Sequence, residues 1–363
     1  MAPDVKPIER LEVRPIDVDP AAIEDEFSRV WRDASGSGYD ESSVRLRVLN
    51  LVAIGGADKD AERFESVMQV VPRKHPCRGI LALTSDARRS VDATISAHCF
   101  REGGSVEICS EEVVLTAGSA QQRELASAVL ALLVPEIPVA AWLLGRAEMT
   151  SYLTSEVIEA ADVLLADSGE GDPGANIRAQ FDLREKHDAR MFDLAWGRSE
   201  TWRELTAQFF DGDDRLQQLE RIKAIEIRGY RGRASAAPML LAGWLVSRLG
   251  YSLADLDGDE EALRATLYDG SRGVTLSVAP GWAPDVMSGL RIITDSARFE
   301  LQGHELSRHL HVIEQWGAHE EMRRAVDHPA LDDAALVMLG LDGSPDPEIS
   351  VEAAAAALAL LGG

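Results

Sequence analysis

The feature that most constrains the fold is the alternation of short apolar runs with longer segments of helical periodicity in the first half of the chain. Four apolar runs predict strands: VRLRVLNLVAIGG, CRGILALT, IPVAAWLL and ADVLLADS. Between them, three stretches have the spacing of amphipathic helices: DAERFESVMQVV, AQQRELASAVLALLV and SYLTSEVIEA. Interleaved strands and helices are typical of an α/β layer structure and not of a helical bundle or a β-sandwich.

The densest cluster of turn-forming residues inside the chain is SGEGDPGAN, residues 168–176, and predicts a domain boundary. Residues 1–40, rich in Pro, Asp, Ser and Gly, are expected to form a partly ordered arm with one short helix. Residues 41–168 should form an N-terminal α/β domain and residues 169–363 a C-terminal α+β domain. The expected fold class is therefore α/β, mixed with α+β, with two mixed-sheet domains and flanking helices.

The net charge of -24 and a pI near 4.7 exclude a chain built to neutralise a phosphate backbone or to adsorb on an anionic membrane. The opening residues lack the apolar run of a signal peptide, and no stretch reaches the roughly 18 apolar residues of a membrane span. With only three cysteines, no disulfide framework of a secreted protein is predicted. The expected compartment is the cytoplasm.

The common catalytic and cofactor-binding motifs are missing from the sequence. There is no phosphate-binding G-x-x-x-x-G-K-[ST] loop and no G-x-S-x-G, and the pair Gly55-Gly56 lacks the third glycine of a dinucleotide fingerprint. His304 and His309 are five residues apart, which does not fit a zinc helix. The sequence therefore predicts no catalytic residues, no cofactor, no metal and no enzymatic activity.

The sequence surroundings of the three cysteines bear on their reactivity and on disulfide formation. Cys77 lies beside Lys74, His75 and Arg78, the surroundings in this chain best suited to a reactive thiolate. Cys99 and Cys109 fall on neighbouring strands of a predicted hairpin, and we expect them on opposite faces, without a disulfide between them.

Two clusters of basic residues in this acidic chain are candidate binding sites for anions or acidic partners. The segment VPRKHPCRG holds four basic residues before a strand, either as a solvated loop or as a contact for an acidic partner. In RGYRGRAS, Arg228, Arg231 and Arg233 lie between a strand end and a helix start, where backbone N–H groups favour anions. These three arginines are candidates for binding a sugar phosphate, as the ligand of a sensor or enzyme or as an effector.

The segment DLAWGRSETWRELTAQFFD, residues 193–211, offers no nucleophile paired with a base. Gly197 interrupts one helix, and a second is expected to start at Thr201 with a capping box. The aromatic and arginine side chains fit either a helix core or an interface hot spot. The candidate partner-binding residues are Trp196, Arg198, Trp202, Arg203 and Phe210.

This segment closely resembles the DLAWxRLTxWRxLxAxxFD signature of the glucose-6-phosphate dehydrogenase assembly proteins, the OpcA family. Further pieces resemble the family in the same order: HPCRGILAL, CSEEVVL, LLVPEIPVAAWLLG, ADVLLADS and AAPMLLAGWLVSRLGY. Leu143 replaces a tryptophan that is common in the family, and the C-terminal third matches poorly. The resemblance implies a non-catalytic partner that binds glucose-6-phosphate dehydrogenase, promotes its active oligomer and raises its substrate affinity in the oxidative pentose phosphate pathway.

Overall fold

The computed structural model describes residues 11–17, 20–36, 43–56, 58–86, 90–101, 107–145, 151–259, 261–282, 287–304, 307–328, 331–343 and 347–362. Residues 1–10, 18–19 and 37–40 of the expected arm lie outside this description. The chain forms two compact units. Unit 1 comprises Met1–Asp167, Leu183–Phe192 and Asp333–Asp342, and unit 2 comprises Ser168–Asp182, Asp193–Asp332 and Gly343–Gly363.

Unit 1 is built on a nine-stranded mixed sheet of order β1-β5-β6-β4-β3-β7-β8-β9, with β2 paired to β6. The strands are β1 (Leu11–Asp17), β2 (Ser43–Arg45), β3 (Leu49–Gly55), β4 (Cys77–Thr84), β5 (Asp92–Arg101), β6 (Glu107–Ala117), β7 (Val139–Leu143), β8 (Val163–Ala166) and β9 (Arg190–Asp193). The helices before β9 are α1 (Pro20–Gly36), α2 (Asp58–Met68), α3 (Gln122–Ala131), α4 (Tyr152–Glu159) and α5 (Pro173–Lys186).

The central strands of unit 1 are parallel and buried on both faces. β3 pairs in parallel with β4 and β7, and every residue of β3 is buried. Such strands are continuously apolar because helices cover both sides of the sheet. On one face Gly79 of β4 lets Met68 of α2 approach so closely that a β-carbon would overlap its sulfur. On the other face, Leu125 and Val129 of α3 join the core.

The segment expected as a partly ordered arm contributes a strand and a helix to unit 1. Strand β1 pairs antiparallel with β5 through the register Leu11↔Ala97, and α1 buries Ile23 and Phe27 completely. Propensity and composition did not predict the strand, because it pairs with the edge of β5, which is distant in sequence.

Unit 2 is built on an eight-stranded sheet of order β11-β12-β13-β10-β14-β15-β16-β17, in which, over the described strands, β10 and β13 pair in parallel and the other neighbours antiparallel. Its strands are β10 (Ile222–Gly229), β11 (Ser252–Gly258), β12 (Leu263–Tyr268), β13 (Gly273–Pro280), β14 (Met287–Thr294), β15 (Ala297–His304), β16 (Ser307–Trp316) and β17 (Met322–Asp327). The remaining helices of the chain are α6 (Leu194–Gly197), α7 (Glu200–Gln208), α8 (Asp213–Leu216), α9 (Ala236–Arg248), α10 (Asp333–Asp342) and α11 (Pro347–Leu361).

One face of the unit 2 sheet forms the core, and the other carries polar side chains. Strand β12 shows the alternation directly, with Leu263, Ala265 and Leu267 buried and the residues between them exposed. Helix α9 is apolar on nearly all sides because α11 also packs against it. A methyl group at Gly243 of α9 would overlap the backbone carbonyl of Ala353, so glycine is what permits this close helix crossing.

Helix α10 comes from the C-terminal part of the sequence but belongs to unit 1. Its first carboxylate, Asp333, accepts a hydrogen bond of 2.6 Å from Nε of Arg63 on α2. At its other end, Asp342 accepts one of 2.5 Å from Nζ of Lys74. The two mixed sheets with flanking helices confirm the predicted fold class. Among the described residues, no helix combines the length and apolarity required to cross a membrane.

Candidate functional site

The signature segment begins at a carboxylate that organises two chain segments of unit 2. Asp193 caps α6, since its Oδ1 accepts the backbone N–H of Ala195 at 2.9 Å. The same side chain accepts the backbone N–H of Ser168 at 3.0 Å and its hydroxyl at 2.6 Å. Ser168 is fully buried, so Asp193 satisfies groups that would otherwise be costly to bury.

Arg203 folds back on the helix break and packs on the first tryptophan of the signature. Its guanidinium carbon lies 3.4 Å from the ring centroid of Trp196, a cation–π arrangement. Its Nη1 donates to the Trp196 carbonyl oxygen at 2.8 Å and to the Ser199 hydroxyl. Burial lowers the pKa of Arg203 to about 10, while Glu200 and Glu204 act in the opposite direction.

The start of α7 differs from the prediction. The N-cap residue is Ser199, with no side-chain capping bond, and the capping box expected at Thr201 is wrong. The Ser199 hydroxyl instead donates to the Trp196 carbonyl oxygen at 2.8 Å, closing the turn after α6. Two local contacts, with the Trp196 carbonyl and with Arg203 one helical turn later, therefore use the hydroxyl that would otherwise form a cap.

The three aromatic candidates for partner binding lie inside unit 2. Trp202 is 2% exposed, Trp196 6% and Phe210 8%, and Phe210 packs edge-on against Phe299 with ring centroids 5.2 Å apart. The arginine candidates, Arg198 and Arg203, are each partly exposed. A side chain that is nine-tenths buried presents little surface to a partner, so the segment is an internal scaffold with arginines at its rim. The role of these five residues in partner binding stays a prediction.

The three candidate anion-binding arginines have different surroundings. Arg233 donates from Nη2 to the Leu361 carbonyl oxygen at 2.9 Å. Arg231 lies 5.5 Å from the ring centroid of Tyr230, and Arg228 is exposed on β10. The sequence reasoning did not include Tyr230, although it lies within the same motif, nor Trp282 at the end of the neighbouring strand. Anion binding by the arginines stays a prediction.

The basic cluster at residues 73–78 is largely compensated within unit 1. Lys74 and His75 both contact Asp342, at 2.5 and 3.0 Å. Arg78 is 1% exposed and donates to the buried Glu111 carboxylate at 2.6 and 2.9 Å. Because these basic side chains already pair with carboxylates of the same unit, they are less available to the acidic protein or anion considered from the sequence.

The structure gives the cysteines surroundings that local sequence does not reveal. Burial, with a smaller contribution from Glu112, raises the pKa of the Cys77 thiol to about 12, which disfavours the reactive thiolate that its basic neighbours in sequence suggested. The register places Cys99 directly opposite Cys109, and Cys109 is disulfide-bonded. Directly opposed residues share a face, so the expected opposite orientation was wrong.

The carboxyl end of β3 is the point where the strand order of unit 1 reverses, because β4 and β7 lie on its two sides. Open α/β sheets bind ligands at such a point. Here the Asp60 carboxylate accepts the backbone N–H of Gly56 at 3.0 Å, and the Asp60 β-carbon would lie 2.8 Å from a β-carbon on Gly55. An amide already bonded to a carboxylate does not attract a phosphate, so these residues do not fit a dinucleotide.

Elsewhere in the described ranges, no group of three or more His, Cys, Asp and Glu side chains is arranged to hold a metal ion.

Fold and site thus define a two-unit α/β protein whose signature segment is an internal scaffold. A family model described as the glucose-6-phosphate dehydrogenase subunit N-terminal domain matches residues 69–182, and the corresponding C-terminal domain model matches residues 189–310. Together these models match more than half of the chain. The chain belongs to the OpcA family of glucose-6-phosphate dehydrogenase assembly proteins.

Similar sequences occur among cyanobacterial proteins provisionally named OxPP cycle protein OpcA. The Synechococcus elongatus protein is 29% identical over 186 residues, which cover 50% of this chain and 41% of that protein. The Nostoc punctiforme protein is 27% identical over 232 residues, 62% of this chain and 46% of that protein. The chain thus matches less than half the length of these relatives.

Solved structures with a similar fold include KijD10, a 3-ketoreductase from Actinomadura kijaniata, with 10% identity and a TM-score of 0.48 over 86% of this chain and 96% of that chain. Another is the UDP-N-acetylglucosamine 3-dehydrogenase GnnA from Acidithiobacillus ferrooxidans, with 12% identity and a TM-score of 0.45 over 86% and 98%. At these values the likeness concerns the chain fold and carries no information on activity.

Proposed function

We propose that this protein is a non-catalytic assembly factor and allosteric activator of glucose-6-phosphate dehydrogenase. It binds the dehydrogenase in the cytoplasm, promotes its active oligomer and raises its substrate affinity in the oxidative pentose phosphate pathway. The observation that carries the proposal is the match of both parts of the chain to domain models described as a glucose-6-phosphate dehydrogenase subunit. The relatives' designation as OxPP cycle proteins supports the same pathway.

The construction of the signature segment also supports a binding role over a catalytic one. Its tryptophans and phenylalanines are packed inside unit 2, and its arginine Arg203 bonds to backbone and hydroxyl oxygens of the same segment. The segment brings no nucleophile to a base. A rigid scaffold of this kind can hold a surface in one conformation, which lowers the entropic cost of binding a partner.

Activation requires that the protein bind the active conformation of the dehydrogenase more tightly than the inactive one, because only differential affinity shifts an equilibrium. A difference of about 1–3 kcal/mol changes apparent affinity by about 5- to 150-fold. A complex of ordinary strength therefore suffices, without a covalent step or a cofactor.

The test is to mix the purified protein with purified glucose-6-phosphate dehydrogenase and to measure the substrate KM and the oligomeric mass by light scattering. We expect a lower KM, a larger mass, or both. An unrelated acidic protein at equal concentration is the control. If neither quantity changes at micromolar concentrations, the proposed function is wrong.

A further inference from the structure

Two exposed aromatic side chains lie at the carboxyl end of β10 and β13, which pair in parallel in the unit 2 sheet. Strands β10 and β13 end together, with Gly229 paired to Pro280, and the N–H of Gly281 donates to the Gly229 carbonyl oxygen at 2.5 Å. Tyr230 follows on one segment and Trp282 on the other. Their side chains are 50% and 44% exposed, although both residue types are normally well buried.

Two exposed arginines accompany these aromatic side chains. The Arg231 guanidinium lies 5.5 Å from the Tyr230 ring centroid, and Arg228 stands two residues before Tyr230 on the polar face of β10. In the described part of the chain, neither guanidinium forms an ion pair. By contrast, Arg291 on the adjacent β14 is paired with two carboxylates of the same sheet, at 2.9 and 3.1 Å. Arg228, Tyr230, Arg231 and Trp282 are called the patch below. Its two arginines carry positive charge without an ion pair, on a chain of net charge -24.

The turn that carries Arg231 is fixed by the residues after it. Gly232 has a φ of +53°, and a β-carbon there would lie 2.9 Å from the Ala279 carbonyl carbon of β13. The next residue, Arg233, donates its backbone N–H to the Glu261 carbonyl oxygen at 2.8 Å and Nη2 of its guanidinium to the Leu361 carbonyl oxygen at 2.9 Å. Arg233 is therefore a structural anchor. Side chains on a fixed turn lose less conformational entropy on binding than those on a mobile loop.

We infer that Arg228, Tyr230, Arg231 and Trp282 form the surface by which this chain docks on an anionic, carboxylate-bearing surface of its protein partner. Interface hot spots are enriched in Trp, Tyr and Arg, and here each of these side chains is exposed at the paired ends of β10 and β13. The aromatics of the signature segment are buried and cannot serve in this way without rearrangement. The inference rests on the proposed function, because it names the docking surface for the same partner.

The positive charge of the patch indicates that the partner's surface bears carboxylates. Arginine binds carboxylates with two parallel hydrogen bonds, and the flanking aromatic rings cover apolar surface and exclude water from those bonds. Because the rest of this chain is acidic, an acidic partner would be repelled elsewhere and attracted at the patch. Binding should therefore weaken with ionic strength, and less so in variants that lack Arg228 and Arg231.

The experiment measures the dissociation constant for purified glucose-6-phosphate dehydrogenase by biolayer interferometry at two salt concentrations. The variants are Tyr230→Ala, Trp282→Ala and the double variant Arg228→Ala/Arg231→Ala. The matched control is Tyr268→Ala, since Tyr268 is 43% exposed on β12, at the far end of the same sheet. We expect at least one aromatic variant to bind about 30-fold more weakly, which corresponds to the hot-spot threshold of about 2 kcal/mol.

The outcomes separate the two proposals. If the wild type does not bind the dehydrogenase, the proposed function is wrong and the docking inference falls with it. If the wild type binds and all patch variants bind as tightly as Tyr268→Ala, only the docking inference is overturned. It is also overturned if the arginine variants lose binding of glucose 6-phosphate in calorimetry and keep that of the dehydrogenase. Unchanged melting temperatures ensure that each loss reflects the surface.

Discussion

Replacing Trp202 by alanine should destabilise unit 2, and this variant tests the assignment of the signature segment as an internal scaffold. The indole is 2% exposed, packs in the same core as Leu205 and Phe209, and meets the His328 ring edge-on with centroids 6.1 Å apart. Truncating a buried tryptophan to alanine removes its burial energy and leaves a cavity, at a cost of about 3–5 kcal/mol.

For a domain of roughly 150 to 250 residues, each kcal/mol lowers the melting temperature by about 2–4 °C, so a decrease of about 6–20 °C is expected. Calorimetric unfolding measures it, and dehydrogenase binding is then measured below both transitions. The control Tyr268→Ala removes a 43% exposed ring and should cost about 0.5 kcal/mol. An unchanged melting temperature for Trp202→Ala together with lost binding would refute the burial argument and identify Trp202 as a contact residue.

Three further changes test the packing and charges of the two units. Gly243→Ala should lower the free energy of unfolding by about 1–3 kcal/mol, since its methyl group would overlap the Ala353 carbonyl; an unchanged denaturation midpoint would contradict this close crossing. Arg78→Met removes one of two arginines from the buried Glu111 carboxylate, leaving Arg47 at 2.9 Å, and should cost about 3–5 kcal/mol in urea unfolding; a cost below about 1 kcal/mol would show that Arg47 alone compensates this carboxylate. With a thiol pKa of about 12, Cys77 should resist a thiol reagent at pH 8 until denaturant is added, and rapid labelling of the folded protein would disprove its burial.

Elements with a strong local pattern were predictable from the sequence. Strand β4 has the bounds of the run CRGILALT, and α4 lies within the stretch SYLTSEVIEA that was predicted to be helical. Continuous apolar runs and helical spacing are local properties, so they need no knowledge of the partner elements.

Elements defined by a distant partner were not predictable. Strand β1 depends on the edge of β5, and α10 belongs to unit 1 although it follows most of unit 2 in the sequence. The register that opposes Cys99 and Cys109 is set by the hairpin pairing, and a slip of one residue would reverse every face.

The same distinction between local and distant determinants applies to the candidate site. The sequence alone determined the fold class, the unusual aromatic and arginine content of residues 193–211, and the family resemblance that the domain models now establish. Only the tertiary structure decided that Trp196 and Phe210 are buried while Tyr230 and Trp282 are exposed. Exposure depends on which elements pack over a side chain, and those elements come from distant parts of the chain, so periodicity within one helix or strand does not contain that information.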